Sequence, residues 1–298
     1  MTYAQGGLIQ ASDYNGFATS INSVWNTIYG QPVIAPVVAG GLINRTDWNQ
    51  IYGSVANIAA HQGTTITSIP LAATGDLLRY YPQLPTNIAA VAVHPYNAAT
   101  VGVDIVGTAS RTTPWGTATA YPQVTSTVTI TFADVAHANY YFNCGGAILL
   151  QCARTGGTGT ADDISWTQLC SDIGTLGLPA QNTAQTIAGA AYTGFTQFGG
   201  GGVGPDVYLR NGYYQLTSTP TQYFRQFSSS GVYTSDNIVV NYSLSGAVIT
   251  ISIRFTDGTA GTGTIDGNLT VTAVARPPES TYIANTWGTP VINVTAAV

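Results

Sequence analysis

The sequence predicts a mainly β chain with an N-terminal helical pair, an α+β arrangement whose body is an antiparallel β-sandwich. Three observations carry that prediction. Apolar residues recur at helical spacing up to residue 63, they recur at every second position from about residue 101, and a stretch containing Thr and Pro that fits neither pattern lies between. The expected organisation is a repeated helix pair for docking or assembly over 1–63, a transitional segment with short helices over 64–100, and a β-sandwich over 101–298 interrupted by one helix at 162–174.

The helix pair rests on an internal repeat. Gly6, Gly7, Leu8, Ile9, Ser12, Asp13, Tyr14 and Asn15 return 34 positions later as Gly40, Gly41, Leu42, Ile43, Thr46, Asp47, Trp48 and Asn49. In each copy a Ser or Thr stands where an N-cap oxygen is expected, and the Asp behind it suits the positive end of a helix. The stripes Tyr14, Phe17, Ile21, Val24, Trp25, Ile28 and Trp48, Ile51, Tyr52, Val55, Ile58 follow, with Gly30 and Gly63 as stops. These stripes must pack on each other or on a neighbour. Tyr14, Phe17, Trp25, Trp48 and Tyr52 are accordingly the candidate assembly interface.

Residues 64–100 open with a Thr-rich extended stretch, then run through Asp76, Leu77, Leu78, Arg79 and Tyr80 to Pro82 and Pro85. A short helix from Thr86 to Val93 is expected to end before Pro95, whose ring disfavours helical geometry at His94.

From residue 101 the period is two. Val124, Val128, Ile130 and Phe132 alternate with Thr125, Thr127, Thr129 and Thr131, a strand with one buried and one hydroxylated face. Ile249, Ile251, Ile253 and Phe255 alternate with Thr250, Ser252 and Arg254, and Ile238–Leu244 precedes them across Ser245 and Gly246, which predicts a hairpin. Leu269, Val271 and Ala273 continue the pattern after turns at Asp257–Gly258 and Asp266–Gly267. The inserted helix runs from Asp162 or Asp163 through Trp166, Leu169, Cys170 and Ile173 to Gly174. Gly199–Gly202 must lie in a loop, since nothing else tolerates so much backbone entropy.

Composition bounds the function. Hydrophobic residues at 45% are enough to order the chain. Only 7% of residues are charged, where about 25% is ordinary, and all eight basic residues are Arg. Thr, Ser, Asn, Gln and Gly must wet the surface, the balance expected of a subunit whose faces end in interfaces. A net charge of -5 with singly scattered Arg excludes a nucleic-acid partner, which needs a basic patch. The N-terminus lacks a secretory pattern and no apolar run approaches a membrane span, so the product is expected to stay in a cytoplasm, without membrane insertion, until assembly or lysis.

Chemistry is sparse. The twelve Asp and the single Glu279 are dispersed, and the one adjacent pair, Asp162 with Asp163, reads as a helix cap and first turn. His61, His94 and His137 lie far apart, without the spacing of a metal site or triad. The glycine run lacks the Lys and Ser or Thr of a phosphate loop. No catalytic residue, metal site or cofactor is predicted. Cys144, Cys152 and Cys170 form neither a metal motif nor an even disulfide set. Cys144 and Cys152 read as one extended segment spanning about 26 Å, too long to bridge. A Cys170 bridge to either one stays open, beside buried free thiols and a disulfide between subunits.

One segment carries a resemblance: Tyr140, Tyr141, Phe142, Asn143, Cys144, Gly145, Gly146, Ala147, Ile148, leading to Arg154, Thr155, Gly156, Gly157. It resembles the Tyr-Phe-Phe-Asn-x-Gly-Gly-x-Ile stretch, followed by Ser-Arg-Thr-Gly-Gly, of virion structural and tail-fibre-like proteins of tailed bacteriophages, of the T4-like and cyanophage type. Trp166, Gly212, Tyr213, Tyr214, Leu216, Thr217, Tyr223, Gly231, Val232 and Tyr233 fall in that family's order, and the start of the chain with Trp48, Asn49, His61, Gln62 and Gly63 is similar too. The chain departs from the pattern at Cys144, where a small residue is usual, and at Ala147, where the family has Glu. Tyr141, Phe142, Asn143, Gly145 and Gly146 form a structural signature; two glycines in a strand imply a bulge or the close approach of another backbone.

The resemblance implies a virion structural component of tail, collar, fibre or capsid surface. It would work by assembling with copies of itself, as a trimer or ring, and with other virion proteins. The alternative is an adhesin at a fibre tip binding host surface glycan, with Tyr208, Tyr213, Tyr214, Tyr223 and Tyr233 as candidate stacking residues. A depolymerase is the weakest reading, because paired carboxylates are missing.

Overall fold

The structure is a computed structural model that describes residues 10–298 other than 77, 79, 80 and 262. Gly6, Gly7, Leu8 and Ile9 of the first repeat copy, and Leu77, Arg79 and Tyr80, lie outside the described residues.

Helices α1 (Ala11–Trp25) and α2 (Arg45–Gln62) form the N-terminal pair, and α3 (Gln83–Val93) packs against both. The caps lie two residues ahead of the predicted Ser12 and Thr46. Asp13 accepts from the Gln10 N–H at 3.2 Å and Asp47 from the Asn44 N–H at 3.0 Å, so the repeated Asp sits at the third helical position and reaches back to the cap. The next repeated residue has a second task. Asn15 brackets the backbone of Val37, accepting at 2.8 Å and donating at 2.9 Å, and Asn49 brackets Ala72 in the same way at 2.9 and 3.0 Å. Each copy thus caps a helix and then pins the chain that returns along it. Gly63 ends α2 in the left-handed conformation, as expected of a C-cap glycine. α3 begins at Gln83, three residues before the expected Thr86, because Pro85 falls in the first turn where a missing N–H costs nothing.

The β part opens with β1 (Ile105–Arg111) and β2 (Gln123–Thr131), then α4 (Val135–Asn143), β3 (Ala147–Thr155) and α5 (Ala161–Asp172). Short strands β4 (Thr175–Leu178), β5 (Ala184–Ile187), β6 (Ala190–Thr193), β7 (Thr196–Phe198) and β8 (Pro205–Tyr208) follow. They lead to β9 (Thr221–Phe227), β10 (Asn237–Ser245), β11 (Val248–Thr256), β12 (Asn268–Arg276) and β13 (Val291–Val294). Two antiparallel sheets build the sandwich, one ordered β1-β12-β3-β4-β7 and one β13-β2-β11-β10-β9-β8, with β5-β6 as a separate ribbon. The predicted hairpin is present: Ser245 pairs with Val248 around Gly246, whose positive φ suits a two-residue turn. The glycine run lies in the loop between β7 and β8.

The inward residues of β2, β11 and β12 are those the alternation marked, and they join Tyr14, Trp48, Ile58 and Leu84 of the helices in one continuous core. Tyr14, Phe17, Trp48 and Tyr52 are buried inside the chain, Trp48 lying 6.2 Å from Tyr14 and 5.4 Å from Tyr52 between ring centres. They are core and not an outward assembly face, because the two stripes satisfy each other. Trp25 is half-buried, its indole N–H donating to the Pro32 carbonyl.

Candidate functional site

The signature sits on a helix and the turn that follows, not in a strand. Asp134 caps α4 by accepting from the His137 N–H at 2.9 Å, and the chain turns at Gly145 before β3 begins at Ala147. Cys144 and Cys152 are therefore not on one extended segment. The expectation of a close approach at the glycines holds in a different form. A Cβ on Gly145 would lie 2.5 Å from the Ala98 methyl, and one on Gly146 would lie 2.5 Å from the Tyr141 carbonyl oxygen.

Each polar group of this segment reaches a different part of the chain. Asn143 donates to the Ile28 carbonyl at 2.9 Å and accepts from the Tyr214 hydroxyl at 2.8 Å. The Tyr141 hydroxyl donates to the Ala147 carbonyl, and Phe142 stacks on Tyr213 with ring centres 4.2 Å apart, a pairing worth about 0.5–1.5 kcal/mol beyond area burial. His61, at the end of α2, bonds the Cys144 carbonyl at 2.9 Å. Burial pushes His61 down to about 4, so at neutral pH the ring is neutral and its Nε2–H is the donor. Tyr29, packed edge-on against His61, donates to the Pro95 carbonyl and accepts from Gln62. The signature is thus a joint where α2, the turn after α1, the segment after α3 and the sandwich meet. It binds parts of one chain together.

A second buried polar cluster lies at the start of α5. Thr160 caps the helix and Asp163 completes the capping box. Asp163 also pairs with the Arg154 guanidinium and accepts from the Asp266 N–H at 3.1 Å, while Arg154 donates to the Asp266 carbonyl. Burial opposes the Asp163 charge, but these donors hold its carboxyl below the usual range. Nearby, Asp236 accepts from the Gly258 N–H and the Thr259 hydroxyl, and Asp257 accepts from the Thr117 N–H at 2.6 Å. Burial pushes the Asp236 carboxyl up to about 7, the Asp257 and Asp162 charges adding to it against the hydrogen bonds from Thr259 and Gly258. A carboxyl that keeps its proton near neutrality is what a general acid needs. Asp162, Asp236 and Asp257 are all buried, however. Asp236 stands in no sequence motif, whereas Asp257 and Asp162 occupy the predicted turn and helix start.

The remaining candidates do not converge. Cys144, Cys152 and Cys170 are free and buried, and burial raises all three thiols, Cys170 to about 12. Tyr213 and Tyr223 are core, Tyr208 is half-buried beneath Arg210, and Tyr233 is half-buried near the acidic cluster. Tyr214 alone of the five is exposed, with its hydroxyl committed to Asn143. Among the described residues no group of three His, Cys, Asp or Glu is arranged to hold a metal, and no helix is long and apolar enough to cross a membrane. A groove of about 380 Å³ between α2, α3 and the 64–69 stretch is lined by residues such as Val55, Ala59, Ile66 and Leu84, without a carboxylate, His, Cys or Arg.

The outer faces of the two sheets are alike. Thr127, Thr129, Thr250, Ser252, Asn241 and Ser243 occupy adjacent register positions on the larger sheet. On the smaller one Thr108 meets Thr272 at 3.1 Å and Ser110 meets Thr270 at 2.7 Å.

Comparison with family models, curated proteins and solved structures finds no match to the chain.

Proposed function

We propose that this chain is a non-enzymatic structural component of a tailed-phage virion, of its tail, collar, fibre or capsid surface, working by contacts with copies of itself and with other virion proteins. The observation that carries the reading is the pair of sheet faces covered by hydroxyl and amide side chains in a chain that is 7% charged. Such faces cost less to desolvate than charged ones and can exchange hydrogen bonds with water for hydrogen bonds with a neighbour. The phage-like signature supports the setting, since it forms a rigid internal joint of the kind a building block needs.

Mass-resolved size exclusion of the purified chain over a wide concentration range, with and without reductant, tests this. Defined oligomers or rings are expected, unchanged by reductant because the three thiols are buried. A monomer at every concentration that also fails to join other virion proteins would overturn the reading, and one that bound host polysaccharide would replace it with the adhesin.

A further inference from the structure

A sheet edge offers unpaired peptide groups, and natural edges are blunted by shortness, Pro, bulges or charge. On one side of this sandwich the edges are blunted. β7 has three residues, and its Gln197 N–H donates to the Tyr208 hydroxyl at 2.5 Å. β8 starts at Pro205, which has no N–H, its register shifts before Val207, and Asp206 holds Arg225 across the strand pair at 3.0 Å. On the other side β13 is short, but β1 carries none of these devices.

β1 pairs with β12 in unbroken register from Ile105↔Ala275 to Arg111↔Leu269, and among the described residues no strand is hydrogen-bonded to its other edge, β13 packing instead against its inner face with Ile292 and Val294 at Gly107. Its first six residues, Ile105–Ser110, contain neither Pro nor charge. The flanking charges are occupied: Asp104 pairs with Arg276 at 2.8 Å, and Arg111 turns inward to the Ala297 and Thr113 carbonyls. Val106, Thr108 and Ser110 point outward, Val106 being 59% exposed and Val103 just ahead 88%.

We infer that the free edge of β1 pairs antiparallel with β1 of a second copy, joining two five-stranded sheets across a twofold axis. The inference rests on the assembly reading and says where one contact lies. An extended strand can satisfy the whole row of edge peptide groups at once, and the uncharged Ile105–Ser110 segment opposes no charge to a second copy of itself. Antiparallel pairing centred on Thr108 sets Thr108 against its counterpart and Val106 against Ser110, without like charges opposed. It would extend the hydroxyl ladder that Thr108–Thr272 and Ser110–Thr270 already form. Such an isologous contact makes a dimer directly and, with a second contact, a closed higher assembly.

Two exposed-site variants of the full chain test it. Thr108→Lys sets two ammonium groups directly opposite each other across the axis and is expected to weaken the dimer roughly tenfold, while the chain still folds. Thr108→Cys is expected to give a covalent dimer with a short bismaleimide, because the native thiols are buried, while Thr183→Cys in the exposed loop before β5 gives none. If oligomers form yet Thr108→Lys leaves them intact and Thr108→Cys does not cross-link, the edge contact is wrong and the assembly reading survives. If wild type stays monomeric at every concentration, the edge pairing falls whether or not the chain joins other proteins.

Discussion

Helices α4 and α5 are both fastened by polar groups, and with opposite chemistry. Around α4 the partners are neutral: the Asn143 amide, the Tyr141 and Tyr214 hydroxyls, a neutral His61 and peptide carbonyls. Around α5 they are charged, with Arg154, Asp163 and Asp266 in one cluster and Asp162, Asp236 and Asp257 beside it. A chain that is only 7% charged has drawn five of its twelve Asp into that one end. Charge is scarce on the surface and concentrated where it locks one helix, so the stability of the two joints should answer to different perturbations.

The largest effect is expected from Arg154→Met, which leaves the fully buried Asp163 without its cation. Removing one partner of a buried pair costs about 3–5 kcal/mol, which for a chain of this size lowers the unfolding midpoint by roughly 10 °C. A thermal melt showing a loss under about 1 kcal/mol would mean that backbone donors alone hold α5, and the contrast between the joints would disappear.

The neutral joint is broken by shape before polarity. Gly146→Ala puts a methyl within 2.5 Å of the Tyr141 carbonyl oxygen, an overpacking expected to cost about 1–3 kcal/mol. Asn143→Ala strands the Ile28 carbonyl and the Tyr214 hydroxyl and should cost a similar 1–3 kcal/mol. Denaturant midpoints at pH 8, where His61 is neutral folded and unfolded, measure both losses, and a cost under about 0.5 kcal/mol in both variants would mean that the joint does not hold the α4 turn in place.

Much of this fold was legible. The alternation in Val124–Phe132 and Ile249–Phe255 marks strands because a half-buried strand has no other way to place its side chains. The repeated Asp marked the helix starts, though the caps lie further ahead than Ser12 and Thr46 because an Asp reaches back three residues. Tyr140–Asn143 misled because Tyr and Phe favour strands and a true strand follows at Ala147; Asp134, an N-cap residue three before His137, was the signal for α4. Arg154, Asp163 and Asp266 were not legible as a cluster, since the topology brings Asp266 to Arg154 from 112 residues away. Nor was the β1 edge, because a strand becomes an edge only through the sheet order.

The subtlest difference between the joints lies in pH. His61 titrates near 4 when folded and near 6.5 when unfolded, so between those values the unfolded chain binds the extra proton and stability falls as pH drops. Asp236 titrates near 7 when folded and near 3.8 when unfolded, so there the folded chain holds the proton and stability falls as pH rises. Between about pH 4 and 6.5 the two slopes oppose each other and wild type should vary little. His61→Gln, which keeps a donor for the Cys144 carbonyl, should remove the acid limb. Asp236→Asn, which keeps an acceptor for Gly258 and Thr259, should unfold a few degrees above wild type at pH 8 and converge with it toward pH 4.5. Thermal midpoints from pH 4.5 to 8 separate the cases, and parallel curves for wild type and Asp236→Asn would show that the buried carboxyl at α5 is ionised throughout.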